Sequence, residues 1–381
     1  MSKNILILGA SYGSLLAIKL LAAGHNVKLA CLPAEADLIN AEGTRVRMPV
    51  KGRDTLVTVD SRDLAGRLSA DVPAAIRPDS FDLVALAMQE PQYRAEGVRD
   101  LLQQIARARV PCMSIMNMPP LPYLARLPGV SVDACRGCYT DASVWDDFDP
   151  ALMTLCSPDP QAFRPPEEKL NVLQVRLPTN FKAARFESDA NTRLLRELEA
   201  GIEAARFDGG DGAIELPVKL KVYDSVFVPL AKWSMLLAGN YRCVQARTVR
   251  SIREAVHSDL AATRAVYEWV ADLCKSLGAA PADLVPFEKY ARAAESLGSP
   301  SSAARALAGG AIAIERVDRL VQTLGAQRGM RSGAIDGIVG RVDEWLDINR
   351  RKAEQTAAAE GRGPSPQAGS RSRQDAERRA G

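Results

Sequence analysis

A single lysine interrupts the apolar stretch LAKWSMLLAGN, which runs from Leu230 to Asn240. Lys232 is out of place in a helix of this composition unless it is paired, and an ammonium group held there can protonate or polarise a carbonyl oxygen. Asn240 stands eight residues further on, about two helical turns, so we expect it near the same face. The simpler alternative is that the lysine packs its stem and keeps its charged end in water.

A second candidate is the turn Gly9-Ala-Ser-Tyr-Gly-Ser14, which joins an apolar run at residues 4–8 to a helical stretch at residues 15–23. In a dinucleotide-binding turn the first glycine makes the bend, the second lets the backbone approach a pyrophosphate, and the third position must be small. Those three positions here hold Gly9, Ser11 and Ser14, with Gly13 in addition. We predict that the pyrophosphate is held at the helix N-terminus by Gly9, Ser11, Tyr12, Gly13 and Ser14. The alternative is a domain of the same fold that binds no cofactor.

The second strand ends at Cys31-Leu32-Pro33, and acidic side chains follow only at Glu35 and Asp37. Sites that prefer NAD place a carboxylate at the end of this strand to hold the ribose 2′-hydroxyl. Its absence favours NADP as the cofactor. Because no arginine stands there either, NAD is not excluded.

The strand, the turn, the helix and a second strand at residues 27–32 form a βαβ unit, which requires a parallel sheet. Further strands are predicted at residues 45–48, 55–59, 83–88 and 112–116, with a helix at 95–108. Residues 130–215 are interpreted as the remaining strands, a helix at 192–205 and a crossing between domains. Beyond residue 216 the chain is rich in alanine and leucine, and helices are predicted at residues 218–239, 248–277, 281–297, 301–307, 311–324 and 332–352.

The predicted fold class is therefore α/β, a doubly wound Rossmann-type parallel sheet followed by an all-helical C-terminal domain. We predict a dinucleotide-binding domain at residues 1–215, a helical substrate and dimerisation domain at 216–353, and a disordered tail at 354–381. The active site is expected in the cleft between the two domains.

Composition excludes several classes of protein. Forty-nine basic and 46 acidic residues leave a formal charge of +3, too small an excess for phosphate-dominated nucleic-acid binding. The chain has two histidines, His25 and His257. Zinc sites and catalytic triads that require histidine are therefore not expected, and no metal site is predicted. No apolar run is long enough to span a membrane. Seven scattered cysteines and no signal sequence predict a cytoplasmic location, and the pair Cys135 and Cys138 is interpreted as part of a strand.

Four segments resemble ketopantoate reductases: NILILGASYGS at the N-terminus, Ser114-Ile-Met-Asn117, the Lys232 stretch with Asn240, and Ser301-Ser302 followed by Ile314-Glu315-Arg-Val-Asp318. The resemblance implies that Asn117 contacts the nicotinamide and that Lys232 is the general acid. It further implies that Glu315 belongs to the catalytic residues and that Asn240, Ser302 and Glu315 orient the substrate. The segment Leu86-Ala-Met-Gln89 has no lysine where the family usually has one after the fourth strand, and Leu236 stands where the family has an asparagine. We therefore expect a relative with a different substrate.

The function predicted from these observations is NAD(P)H-dependent reduction of a 2-oxo acid or a related carbonyl. An opine-type dehydrogenase is an alternative, but it needs a histidine acid or base, and the helical domain offers only His257. A non-catalytic dinucleotide-binding or sensing protein is the other alternative. The expected partner is a small-molecule substrate, without nucleic acid or membrane, and a homodimer is left open.

Overall fold

The computed structural model describes residues 1–210 and 212–359 of the 381-residue chain. The chain forms two compact units. The first unit comprises Met1–Leu127 and Ala142–Pro229, and the second comprises Pro128–Asp141 and the described residues from Leu230 onward.

The strands are, in chain order, β1 (Asn4–Leu8), β2 (Asn26–Ala30), β3 (Arg45–Met48), β4 (Val57–Asp60), β5 (Leu68–Asp71), β6 (Leu83–Leu86), β7 (Cys112–Ile115), β8 (Met153–Ser157), β9 (Gln161–Phe163), β10 (Val172–Leu177), β11 (Phe181–Ala184), β12 (Phe207–Asp208), β13 (Ala213–Ile214) and β14 (Leu220–Tyr223). The α-helices are α1 (Ala10–Ala22), α2 (Pro33–Glu42), α3 (Glu96–Ala108), α4 (Leu121–Leu124), α5 (Val132–Cys135), α6 (Asp189–Ala204), α7 (Lys232–Met235), α8 (Ile252–His257), α9 (Leu260–Leu277), α10 (Phe287–Ala294), α11 (Ser302–Ala308), α12 (Val317–Gln327) and α13 (Gly333–Ala359).

The first unit is built on a sheet that has eight strands within the described residues, in the order β14-β11-β8-β7-β6-β1-β2-β5. All neighbouring pairs are parallel except β8 with β11. The chain winds from β1 to β2 on one side and returns to β6 on the other, which is the doubly wound arrangement. The predicted fold class of the first unit is confirmed. Ligands bind such sheets beyond the carboxyl ends of the strands, where the winding reverses.

A second sheet, in the order β4-β3-β10-β9, packs against α1. Because α1 also lies on the main sheet, its residues are almost completely buried. The shared core includes Leu15 and Leu16 of α1, Ile5 of β1, Val46 of β3 and Leu173 of β10. Sequence analysis did not predict β9 or the second sheet. The result is that residues 161–177 cover the helix that begins at the glycine turn.

The helix predicted over residues 218–239 is wrong in its first half. Leu220 and Val222 are buried and alternate with more exposed Lys221 and Tyr223, which is the period of a strand. β14 pairs with β11 at the edge of the main sheet. The helical part of the chain therefore begins with the 3₁₀ turn Val228–Ala231, and not at residue 216.

The second unit is helical, as predicted, although several helices are shorter than expected. The predicted helix at 248–277 is divided at Asp259, whose side chain accepts from the backbone N–H of Ala262 and starts α9. The helix at 281–297 shortens to α10 because Pro286 precedes its first turn. The helix at 311–324 begins only at Val317.

The last described helix is longer than predicted. α13 continues to Ala359, so the first six residues assigned to a tail at 354–381 are helical. The other tail residues lie outside the described part of the chain. Cys135 and Cys138 lie in α5 and in the 3₁₀ turn that follows it, so the strand predicted for this pair is wrong.

No helix among the described residues is both long enough and apolar enough to cross a membrane. All seven cysteines lie in the described part of the chain and are buried, and none of them forms a disulfide.

Candidate functional site

The turn after β1 requires a glycine at its first position. Gly9 has φ 100°, and a Cβ built on it would lie 2.9 Å from the carbonyl oxygen of Ala87 and 2.6 Å from Cγ of Met88. Its N–H donates to the carbonyl of Ala30 on β2 at 3.0 Å. The turn is thus held tightly between β6 and β2, and it directs the N-terminus of the 13-residue helix α1 to the carboxyl edge of the sheet.

Gly13 performs the packing role that the sequence analysis gave to Ser14. A Cβ on Gly13 would lie 2.6 Å from Cγ2 of Ile7, so a larger residue would push α1 away from β1. Ser14 is 3% exposed; its hydroxyl donates to the carbonyl of Ala10 and accepts from the hydroxyl of Thr44 at 3.2 Å. Ser14 therefore faces the interior, and of the predicted residues it is the least able to contact a phosphate.

Ser11 and Tyr12 are half-buried in the first turn of α1, which contains no acidic residue. The hydroxyl of Tyr12 donates to the carbonyl of Pro160 at 2.7 Å, and its ring meets Phe181 edge-on with centroids 6.0 Å apart. Burial raises the pKa of Tyr12. The tyrosine side chain thus anchors α1 to the segment before β9, and the turn's means of contacting an anion are its backbone N–H groups and the Ser11 hydroxyl.

Asn117 follows β7 by two residues and is half-buried. In the register of the sheet Leu8 pairs with Leu86, and Leu86 pairs with Ser114. Gly9 and Asn117 therefore lie at the same carboxyl edge, separated by two strand spacings, about 10 Å. The structure brings these two predicted residues together in the first unit.

The end of β2 carries an ion pair that the sequence analysis missed. A guanidinium N–H of Arg164, just after β9, donates to the carboxylate of Glu35 in the first turn of α2. Burial raises the pKa of the Cys31 thiol to about 11, and the charge of Arg164 acts against that rise. A carboxylate and a guanidinium thus lie beside the last residues of β2. Because the two residues are 129 positions apart in sequence, no local pattern could have revealed this pair.

In the second unit, Lys232 begins α7, which passes directly into the π-helical segment Leu236–Asn240. Most residues of this element are buried, whereas Lys232, Met235 and Asn240 are half-buried. These three residues are the partly accessible ones of the element. The predicted position of Lys232 and Asn240 near the same face of the helix stays a prediction.

The side chain of Tyr290, from α10, contacts the Lys232 element at the start of its π segment. Its hydroxyl donates to the carbonyl of Met235 at 3.2 Å, and a Cβ on Gly239 would lie 1.9 Å from the same hydroxyl. A side chain inserted into the hydrogen-bond ladder is a common cause of irregular helix geometry. Eight residues of α-helix would leave Lys232 and Asn240 offset by about 80°. Since π-helical residues rotate less about the axis, the segment reduces that offset.

Of the two predicted serines, Ser301 is the one bound to this element. It is buried, its hydroxyl donates to the carbonyl of Asn240 at 2.7 Å, and it accepts from the N–H of Ala304 as the N-cap of α11. Ser302 is exposed and accepts from the guanidinium of Arg305 at 3.3 Å. Ser301 therefore fixes the position of the backbone at Asn240, while Ser302 presents its side chain to solvent.

Glu315 is half-buried in the segment before α12, and its backbone is fixed. Its carbonyl accepts from the hydroxyl of Tyr241 at 2.5 Å, and that hydroxyl accepts from the N–H of Val317 at 3.1 Å. Asp318 is fully buried and takes two hydrogen bonds from Arg316, both at 2.9 Å. Burial raises the pKa of Asp318. Asp318 thus stabilises the fold. Glu315 is the more accessible of the two acids in the segment Ile314-Glu315-Arg-Val-Asp318.

His257 is the last residue of α8, and it is exposed. Its Nε2 lies 3.0 Å from the carbonyl of Ala291. Within the described residues no three potential metal ligands lie together. Among the predicted site residues of the second unit, hydrogen bonds connect Asn240 with Ser301 and Glu315 with Tyr241.

Comparison with solved structures identifies the architecture. A 2-dehydropantoate 2-reductase from Methylococcus capsulatus matches with a TM-score of 0.62 and 14% identity, over 91% of this chain and 97% of that chain. A PanE/ApbA family ketopantoate reductase from Ralstonia eutropha JMP134 matches with a TM-score of 0.58 and 16% identity, over 91% and 99%. This chain has the ketopantoate reductase fold. Neither a family sequence model nor a curated protein sequence matches it.

The same fold occurs in D-mandelate dehydrogenase, solved with NADH and anilino(oxo)acetate. That structure matches with a TM-score of 0.59 and 13% identity, over 91% of this chain and 99% of that chain. Solved structures with this fold are thus named both as reductases and as a dehydrogenase. At these identities the likeness extends to the fold alone.

Proposed function

We propose that the protein is an NAD(P)H-dependent oxidoreductase that reduces a 2-oxo acid or a related carbonyl compound. The observation that carries the proposal is the turn at Gly9, where a positive φ and close contact with Ala87 leave room only for glycine. This turn lies at the point where the winding of the sheet reverses, which is where dinucleotides bind in such folds. The fold neighbours of this chain are named as ketopantoate reductases and as a dehydrogenase with NADH, and these names support an NAD(P)H-dependent reduction.

The residues of the first unit fit a dinucleotide. The first turn of α1 offers backbone N–H groups without an opposing acid, and these would hold the pyrophosphate together with Ser11. Asn117, at the carboxyl end of β7, would orient the nicotinamide end. When bound, the nicotinamide supplies the hydride for the carbonyl carbon.

Lys232 would donate a proton to the carbonyl oxygen as negative charge develops on it. Asn240 would orient the substrate, and its backbone is held by Ser301. Glu315, which is half-buried before α12, would help to orient the substrate. Ser302 would contact the substrate through its exposed hydroxyl.

NADP is the proposed cofactor, and a cytoplasmic homodimer is the proposed form of the protein. Seven buried cysteines without a disulfide support a reducing compartment. One fold neighbour, a ketopantoate reductase from Staphylococcus aureus, is described as dimeric.

The decisive experiment is to measure turnover of NADPH and NADH with a panel of 2-oxo acids, including 2-dehydropantoate and an aryl 2-oxo acid. Oxidation of the cofactor that depends on one of these acids is the expected result. Turnover only when an amino acid is added would instead indicate the opine-type dehydrogenase. Binding of the dinucleotide without turnover would indicate a sensing protein, and absence of binding would overturn the proposal.

A further inference from the structure

A surface cleft of about 480 Å³ lies in the first unit, and none of its residues is assigned above to the cofactor or the substrate. Two arginines and one glutamate line it among apolar residues: Ala125, Arg126, Pro150, Arg185, Phe186, Glu187 and Val226. Small-molecule sites in proteins commonly have volumes of this order. The cleft is therefore large enough for a small organic ligand.

The cleft lies at the opposite edge of the main sheet from the glycine turn. Arg126 donates to the carbonyl of Met153, which begins β8, and to the carbonyl of Arg185, which follows β11. In the register of the sheet, Met153 pairs with Cys112, the first residue of β7. Gly9 follows the last residue of β1, roughly 15 Å away along the strand direction. A small ligand in this cleft therefore does not reach the turn.

Arg126 brings a positive charge to the cleft. Its hydrogen bonds within the described residues, at 2.8 and 2.9 Å, both go to backbone carbonyls and not to a carboxylate. Carbonyls orient a guanidinium group but do not neutralise it, and they use two of its five N–H donors. Burial lowers the pKa of Arg126, while the nearby charge of Glu187 raises it. Arg126 is thus an oriented cation of the kind that binds carboxylates.

Glu187 brings a negative charge to the same cleft. Its side chain is exposed, and in the described part of the chain its carboxylate forms no ion pair. Arg185, by contrast, pairs with Asp189 at 2.6 Å and donates to the carbonyl of Phe186 at 3.0 Å. The cleft therefore presents a cation and an anion that lie near each other without pairing. A simple anion would be repelled by Glu187, whereas a ligand that carries both charges would contact both side chains favourably.

We propose that this cleft binds an α-amino acid with an apolar side chain. Arg126 donates to the carboxylate of the amino acid, and Glu187 accepts from its ammonium group. The apolar side chain lies against the walls formed by Pro150, Phe186 and Val226. This site is separate from the proposed oxidoreductase site and does not depend on it.

The test is calorimetric titration of the full-length protein with L-leucine and L-phenylalanine, without cofactor or 2-oxo acid. Two analogues of leucine separate the charges, since 4-methylpentanoate lacks the amino group and 3-methylbutylamine lacks the carboxyl group. We expect both amino acids to bind with dissociation constants below about 1 mM, and each analogue to bind at least about tenfold more weakly than L-leucine.

Glu187→Gln should lower the affinity for L-leucine at least about tenfold without lowering that for 4-methylpentanoate, which lacks the group that Glu187 contacts. Arg126→Gln should weaken the binding of both compounds. Glu96→Gln is the matched control for Glu187→Gln, because Glu96 is also exposed and lies in the first unit but does not line the cleft. It should bind L-leucine as the unmodified protein does.

Arg126→Gln also loses hydrogen bonds to two carbonyls, so thermal unfolding is measured to show that this variant folds. If it does not fold, Glu187→Gln decides the matter, because its exposed side chain has no ion pair to lose among the described residues. Unchanged affinity of Glu187→Gln for L-leucine would overturn the inference, and this is also the result for an amino acid that binds elsewhere as a substrate. Equal binding of L-leucine and 4-methylpentanoate would indicate a simple anion site and would overturn it too, as would failure of both amino acids to bind.

Discussion

Two helical elements of this protein each carry one lysine among apolar residues, and the two lysines lie in different environments. Lys19 of α1 is 3% exposed, and its ammonium group donates to the carbonyls of Leu216 at 3.1 Å and Pro217 at 2.8 Å. Lys232 is half-buried, as is Asn240 eight residues later in the same element. The sequence surroundings of the two are alike, with apolar neighbours on both sides.

The comparison shows that a lysine in an apolar helix is not by itself evidence of catalysis. Lys19 is explained by structure, because it ties α1 to the backbone before β14. Burial lowers its pKa to about 7, with a smaller contribution from Lys219. The case for Lys232 depends instead on accessibility and on a polar neighbour at suitable spacing. Those properties emerge only when the chain is folded.

The two elements also differ in geometry. α1 is a regular helix that begins at a tight glycine turn, whereas the Lys232 element changes from α to π geometry where Tyr290 contacts Met235. A regular helix buried on two sides is suited to support. An irregular segment with three half-buried residues is suited to present side chains, since π geometry often occurs at functional sites.

The largest expected effect is on turnover, and it concerns Lys232. If its ammonium group donates the proton to the developing alkoxide, Lys232→Ala should lower kcat by roughly 10²- to 10⁴-fold. Lys232→Arg should recover little of this loss, because the guanidinium is larger and stays protonated. NADPH affinity should not change, since the cofactor is assigned to the first unit.

Steady-state kinetics with an accepted substrate measure this prediction, and calorimetry with NADPH provides the binding control. A lysine that only packs its stem would tolerate arginine and lose little activity as alanine. An alanine variant that keeps more than about a tenth of the original turnover would remove Lys232 from the mechanism.

The next effect concerns the start of α1. Gly9→Ala places a Cβ 2.9 Å from the carbonyl oxygen of Ala87 at φ 100°, so the turn must move. We expect NADPH affinity to fall at least about tenfold, together with a loss of stability of about 1–3 kcal/mol from backbone strain. Gly24→Ala is the control, because Gly24 also has a positive φ, but nothing lies within 4 Å of the added Cβ. Equal losses of affinity in both variants would show that strain alone, and not the turn, matters.

Much of the first unit was predictable because its local signals agree with its final structure. β1 and β3 follow from an apolar run and from alternation, and both lie where they were predicted. α1 begins at Ala10 and not at Leu15, so five residues predicted as turn belong to the helix. β14 was missed because its alternation, Leu220-Lys-Val-Tyr223, adjoins a longer apolar stretch that predicts a helix. Its strand geometry depends on pairing with β11, which no local pattern encodes.

The candidate site was predictable only in part for the same reason. Gly9 and Asn117 follow strands, so their position at one edge results from the parallel sheet. The ion pair of Arg164 with Glu35, the insertion of Tyr290 at Met235 and the buried position of Ser14 all depend on contacts between distant segments. Spacing along the chain carries no information about such contacts.

A smaller effect, on stability, concerns Lys19. Its pKa is about 7 in the folded chain and near 10.4 when unfolded, so between these values the unfolded chain binds more protons. The free energy of unfolding should therefore rise with pH across this window, by up to ~1.4 kcal/mol per pH unit. Lys19→Met should remove this slope and leave turnover unchanged. Urea unfolding at several pH values between neutral and 9 measures it.

Lys28→Met is the control for the Lys19 experiment, because Lys28 is a more exposed lysine that pairs with Asp71. Lys19→Met also leaves the carbonyls of Leu216 and Pro217 without their donor, at a cost of about 1–3 kcal/mol that does not vary with pH. The two contributions are thus separable. Parallel curves for the unmodified protein and Lys19→Met would show that Lys19 does not titrate in this window.

The smallest effect concerns the π segment that follows Lys232. Tyr290→Phe removes the hydrogen bond to the carbonyl of Met235, and the segment can then relax toward α geometry and turn Asn240 away from Lys232. We expect kcat to fall about threefold, less than ~1 kcal/mol in barrier height, without a change in NADPH affinity. Tyr267→Phe is the matched control, because Tyr267 stacks on Tyr290 and donates to the carbonyl of Val285 at 2.7 Å. Both variants should lose similar stability, and only Tyr290→Phe should lose turnover. If the two variants have equal turnover, the π geometry does not contribute to the alignment of Lys232 with Asn240.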